Sequence, residues 1–218
     1  MQYIIALDID NQSKALALVD NWHPDWCILK VGLEAFTRLG PEFVKKLIAR
    51  GFRVFLDLKF HDIPNTVAAA CRAAASLGVW MLNIHASGGL SMMQAAREAV
   101  DAFGDKKPYL IAVTVLTSQN ASHIEVLALA KTAKQAGLDG VVCSALEVPA
   151  LKAACGDDFL AITPGIRLEG DSAHDQKRVV TPEKARILGS DYAVIGRSIM
   201  QAANPTEHLK ALVLNAKK

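Results

Sequence analysis

The chain has 218 residues, of which 51% are hydrophobic and 21% charged, and its formal net charge is +2. That length and composition suit one domain with a substantial core. Scattered basic residues and so small a net charge argue against nucleic acid or an anionic membrane surface as the partner, so any anion site has to be local.

Apolar, β-branched runs alternate with helix-like stretches along the chain. The run at 3–8 predicts a first strand, and 13–21 reads as the helix after it. A second strand at 26–31 leads to a helical pattern at 41–50, and a third at 53–59 leads to one at 66–77. Strands at 80–85 and 109–114 precede helices at 90–103 and 123–136. The last strands are expected at 140–143, 160–163 and 192–195. Gly51, Gly78, Gly137 and Gly189 stand just after helical segments, where a left-handed cap favours glycine. Thr181-Pro182 has the form of a helix start, with threonine as cap and proline in the first turn.

Strict strand–helix alternation implies parallel strands joined by crossovers. Eight such units predict an α/β protein of the (β/α)8 TIM-barrel type. An open doubly wound sheet is the alternative, but no G-x-G-x-x-G follows the first strand. No linker or low-complexity segment divides the chain, which predicts a single domain over 1–218. The first residues lack the basic region and cleavage site of a signal peptide, and their apolar run is too short to cross a bilayer. Cys27, Cys71, Cys143 and Cys155 form no C-x-x-C pair, which suits reduced, buried thiols in a cytoplasmic protein.

In such a barrel the active site lies at the C-terminal rim, and polar residues collect there. Asp8 ends the first strand, Lys30 the second, Asp57 and Lys59 the third, and His85 the fourth. Thr117, Arg167 and Gly196-Arg197 follow the fifth, seventh and eighth. Side chains alternate along a strand, so Asp57 and Lys59 share one face while Leu56, Leu58 and Phe60 take the other. The apolar face suits the helix layer, which turns Asp57 and Lys59 inward at the mouth. A structural ion pair is the bland alternative, yet a buried pair is seldom worth keeping for stability alone. Asp62 lies past the strand, before Ile63-Pro64, and spacing alone leaves open whether it reaches the same pocket.

The connection at 164–180 is long for a compact barrel and suits a lid. Gly196-Arg197 after the last strand suits a phosphate group, since Gly196 permits close approach and Arg197 can fork onto two oxygens. The Ser87-Gly-Gly89 turn before Leu90 could also cradle an anion, but a plain helix entry is the preferred reading. The histidines show neither H-x-H nor H-E-x-x-H, so no metal site is expected, and His85 is read as a support.

The stretch Asp57-Leu-Lys-Phe-His-Asp-Ile-Pro-Asn-Thr66 resembles the signature of the orotidine 5′-phosphate decarboxylase family, which completes UMP synthesis. The likeness extends to Ala6-Leu-Asp8, Leu29-Lys-Val-Gly32, His85-Ala-Ser-Gly88, Val113-Thr-Val-Leu-Thr-Ser118, Thr163-Pro-Gly-Ile-Arg167 and Ile195-Gly-Arg197. It implies a (β/α)8 homodimer that needs no cofactor or metal, with active sites shared between subunits. Lys30, Asp57 and Lys59 would form a charged array completed by Asp62 of the partner subunit, with Ile63 and Thr66 beside it. Asp8 would hold the ribose and Thr117 the pyrimidine edge. Pro164 and Arg167 would belong to the phosphate-side loop, with Gln176, Gly196 and Arg197 on the phosphate.

Relatives such as the magnesium-dependent 3-keto-L-gulonate-6-phosphate decarboxylases and the hexulose phosphate synthases are similar in D-x-K-x-x-D. They place a carboxylate at the end of the second strand, where this chain has Lys30, whose charge opposes a divalent cation. A non-catalytic nucleotide-binding barrel is a further alternative, disfavoured by the complete set Lys30, Asp57, Lys59 and Asp62.

Overall fold

The computed structural model describes residues 1–116, 122–168 and 179–215. Eight parallel strands, β1 (Gln2–Ala6), β2 (Ile28–Gly32), β3 (Val54–Phe60), β4 (Met81–His85), β5 (Tyr109–Val113), β6 (Gly140–Val142), β7 (Leu160–Thr163) and β8 (Tyr192–Ile195), close on themselves in sequence order. Each predicted strand is present, with ends shifted by two residues at most. The outer layer consists of α1 (Gln12–Val19), α2 (Leu33–Ile48), α3 (Pro64–Ser76), α4 (Gly89–Asp101), α5 (His123–Gln135), α6 (Val148–Cys155) and α7 (Pro182–Ile187). After β8 come the short α8 (Arg197–Met200) and then α9 (Pro205–Asn215).

Local signals account for the helix ends. The side chains of Asn11, Ser122 and Thr181 accept hydrogen bonds from the backbone N–H groups of Lys14, Glu125 and Lys184, capping α1, α5 and α7. Each such cap is worth about 1 kcal/mol. Gly51, Gly78, Gly137 and Gly189 all have φ between 79° and 90°, the left-handed geometry that stops a helix without a Cβ penalty. Gly40 (φ 69°) kinks α2 just before Pro41, so α2 is two helical pieces and the expected segment at 41–50 is only the second.

Period-two alternation splits the strands between two cores. Tyr3, Ile5, Leu29, Val31, Val54, Leu56, Leu82, Ile84, Val141, Ala161 and Ala193 face the helices. Ile4, Ile28, Phe55, Met81, Ile111 and Ile162 fill the barrel axis, each no more than 1% exposed. Burying an aliphatic or aromatic side chain this fully contributes roughly 1.5–3 kcal/mol, so the axis is a packed layer rather than a pore. Beneath it Trp80 stacks edge-on against Tyr109 and Tyr192, at 5.4 and 5.3 Å, with the Arg53 guanidinium 5.2 Å from its ring centre. At the next inward position, Ile28, Phe55 and Met81 give way to the polar Lys30, Asp57 and Asn83. No helix among the described residues is long and apolar enough to cross a membrane.

Candidate active site

Parity along the strands brings the site together. Ala6 pairs with Lys30 and Lys30 with Phe55, while Gly32 pairs with Asp57 one inward position further on, so all of them share the inward face. Asp57 is the hub. Its Oδ1 accepts from Lys59 Nζ at 2.6 Å and from Asn83 Nδ2 at 2.7 Å, while its Oδ2 lies 3.2 Å from Lys30 Nζ. Lys30 Nζ also stands 3.8 Å from Asp8 Oδ1, giving the series Asp8, Lys30, Asp57, Lys59. Gly32 makes room for it, since a Cβ there would come within 3.1 Å of Lys30 Nζ.

The electrostatics follow from burial. Removing Asp57 from water would raise its pKa, but the Lys30 and Lys59 ammonium groups and the hydrogen bonds from Lys59 and Asn83 prevail and hold it below the ordinary value. Asp57 is therefore an anion at neutral pH. His85, at the end of β4, is pushed down by burial, then by His61 and Lys59, with Asp57 opposing. Its ring lies 5.5 Å from that of His61, so it is a half-buried neighbour of the array.

Above the array lies a cavity of about 260 Å³. Asp8, Lys30, Asp57, Lys59, Arg167 and Arg197 supply its charged wall. Phe55, Val113, Val115, Val142, Ile162 and Val194 supply the apolar wall, with Pro164, Gly165 and Gly196 at the rim. Two acids, two ammonium groups and two guanidinium groups line this space, which suits an anionic ligand. The two ends of the 164–180 connection are tied together, Arg167 N–H donating to Val180 O at 3.0 Å and Val180 N–H to Gly165 O at 3.2 Å. Arg167 is only 7% exposed, and its Nη1 donates to Ile166 O.

Asp8, Lys30, Asp57, Lys59, Pro164, Arg167, Gly196 and Arg197 thus converge on one cavity. Asp62, Ile63 and Thr66 stand outside it on the exposed surface, where Asp62 Oδ1 accepts from the Ile63 N–H at 2.6 Å. Thr117, Gln176 and most of the expected lid lie outside the described residues. Among the described residues, no group of three His, Cys, Asp or Glu side chains could hold a metal ion. All four cysteines are buried, and burial pushes Cys27 and Cys71 up to about 12.

Sequence reasoning missed Asn83 and the apolar wall. The wall was within reach, because each of its strand residues continues an inward parity already set by the axis. A polar residue in the middle of the apolar run 80–85 was a further signal.

The sequence model of the orotidine 5′-phosphate decarboxylase / HUMPS family matches residues 1–212. A Legionella pneumophila (strain Corby) protein named orotidine 5′-phosphate decarboxylase is 55% identical over 221 aligned residues, covering 96% of each chain. One of the same name from Pseudoalteromonas translucida is 58% identical, over 93% of this chain and 91% of that one. The solved structure of orotidine 5′-phosphate decarboxylase from Lactobacillus acidophilus matches with TM-score 0.84 at 39% identity, covering 98% of this chain and 97% of that one. A Pyrococcus horikoshii structure, at 21% identity and TM-score 0.82, bears on the fold alone.

Proposed function

The chain belongs to the orotidine 5′-phosphate decarboxylase / HUMPS family, and from that premise we propose how its barrel mouth converts orotidine 5′-phosphate to UMP and carbon dioxide. The single observation that carries the mechanism is the clamped Lys30–Asp57–Lys59 array under the cavity.

Breaking the bond from C6 to the carboxylate leaves an electron pair in an sp2 orbital that the ring cannot delocalise. Enzymes at the upper end of catalytic power lower such barriers by roughly 20 kcal/mol. One charged hydrogen bond contributes only about 1.5–3 kcal/mol, so several groups must act together. Charges fixed in place before the reaction are effective because they need no reorganisation as the carbanion forms. Lys59 stabilises that carbanion and then donates a proton to C6, giving UMP. Asp57 faces the substrate carboxylate, whose charge disappears as neutral carbon dioxide leaves. Lys30 holds Asp57 from the far side, and Asp62 of the partner subunit completes the series.

At the other end of the cavity Arg197, Arg167, Gln176 and Gly196 hold the phosphate, Pro164 lines the approach, Asp8 takes the ribose and Thr117 the pyrimidine edge. Binding energy gained at the phosphate closes the site over C6. Arg197→Ala is accordingly expected to lower kcat/KM for the phosphorylated substrate by about tenfold or more while sparing the fold. An unchanged kcat/KM would remove Arg197 from the phosphate grip.

The active unit is read as a cytoplasmic homodimer. Its support is the surface beside the mouth, where Leu33 and Ile63, at the ends of neighbouring strands, are 58% and 66% exposed. No metal is assigned, because Lys30 places an ammonium where the magnesium-dependent relatives need a carboxylate. The deciding experiment follows the loss of orotidine 5′-phosphate absorbance by the purified protein with EDTA present. Turnover that persists in chelator supports the reading, and turnover that needs added Mg2+ would transfer the chain to the metal-dependent group.

A further inference from the structure

β3 and β4 are out of step at the active site. Leu56 pairs with Leu82 and Phe60 with Ile84, so Asp57, Leu58 and Lys59 stand opposite Asn83 alone. The bulge falls within the charged array. Lys59 is the one non-glycine among the described residues with positive φ, at 52°. A left-handed conformation at a residue other than glycine costs of order 1–3 kcal/mol and persists only where its surroundings enforce it. The bulge also takes the Lys59 N–H out of the regular ladder.

Asn83 meets both needs. Its side chain is fully buried. Its Oδ1 accepts the Lys59 N–H at 2.8 Å, and its Nδ2 donates to Asp57 Oδ1 at 2.7 Å. One planar amide thus grips the backbone of Lys59 and the carboxylate of Asp57 at once. An amide is the side chain that can do so, because the two contacts require an acceptor and a donor carried on the same carbon. A carboxylate would meet Asp57 with like charge, and an aliphatic residue would leave the Lys59 N–H and one Asp57 contact unmade.

We propose that Asn83 is a positioning residue for decarboxylation, bracing the bulge so that the Lys59 ammonium and the Asp57 carboxylate are presented to the substrate in fixed relation, with Asp57 ionised. This deepens the proposed mechanism and rests on the roles given there to Asp57 and Lys59. The charged or titratable groups facing Asp57 are Lys30 from β2, Lys59 from β3 and His85 from β4, with Asp8 across Lys30. None of these provides the neutral donor that Asn83 does.

The test is the pH dependence of kcat and kcat/KM for Asn83→Leu and Asn83→Asp in the full-length protein, with thermal melts alongside. The leucine variant lacks both contacts. The aspartate variant keeps the size, shape and acceptor, but replaces the donor with charge. Both are expected to lose kcat roughly 10- to 100-fold with KM little changed, as when a buried partner of a charged group is removed. Asp57 then protonates more readily, so the acid limb of kcat/KM moves to higher pH, by about one unit or more in the aspartate variant, where two carboxylates share the site.

Native-like melting with kcat within about twofold of wild type would overturn the proposal. So would a fall in kcat with the acid limb unmoved, which marks a purely structural role, or failure of both variants to fold. Lys59→Ala assayed in parallel separates the two levels. If that variant stays active the mechanism itself fails, whereas inactive Lys59→Ala beside wild-type-like Asn83 variants removes only the positioning role.

Discussion

Lys59→Ala is expected to lose kcat by about four orders of magnitude or more while still binding UMP. The size follows from the two tasks given to one ammonium. Proton transfer by a positioned group contributes about 10²–10⁴, and a fixed charge aimed at a developing anion contributes about 10²–10³. UMP binding should survive because the product has no carboxylate at C6, and the phosphate and ribose contacts proposed above fall to other residues. The fold should survive too. Lys59 is 28% exposed at its side chain, and its removal leaves Asp57 held by Lys30 and Asn83. Turnover by absorbance and UMP affinity by calorimetry make the measurement. Near-wild-type turnover would end the assignment of Lys59 as proton donor.

Mixing two inactive proteins is expected to restore activity. Asp57→Asn disables the site that its own barrel builds, and Asp62→Asn disables the site to which its surface loop contributes. In a two-fold dimer with sites shared across the interface, a hybrid carries one site with both lesions and one with neither. Random reassortment of equal amounts should therefore recover roughly a quarter of wild-type activity from parents with almost none. The location of Asp62 motivates this test, because it stands exposed, outside its own barrel's cavity, next to the exposed Ile63. A hybrid dimer verified by mass, yet inactive, would show that Asp62 does not act across subunits.

The barrel was readable in the chain because its signals repeat. Each strand is a short β-branched run, and glycine or a capping side chain ends or starts the helices where expected. Lys30 and Asp57 could be placed inward by parity, since each follows an axis-filling residue two positions earlier, Ile28 and Phe55, and Lys59 was placed beside Asp57 by the same alternation. Parity holds only while the ladder is regular. The slip between β3 and β4 is a tertiary property, set by what lies across the strand, and no feature of residues 57–59 announces it. Asn83 gains its meaning from that slip, and its one trace in the sequence is a polar residue inside the apolar run 80–85. The first piece of α2 was missed for a simpler reason, since Gly40-Pro41 reads as a boundary and not as a kink within one rod. Asp62 illustrates a further limit, because a single chain does not contain the surface it faces.

The solid axis of the barrel sets a traffic rule. Among the described residues Phe55, Met81 and their neighbours are packed shut and Trp80 is plugged beneath them, so the cavity has no opening through the floor of the barrel. Nucleotide, solvent and gas must all pass the same rim. Carbon dioxide released above that floor has no exit through it and leaves by the rim that admits the nucleotide.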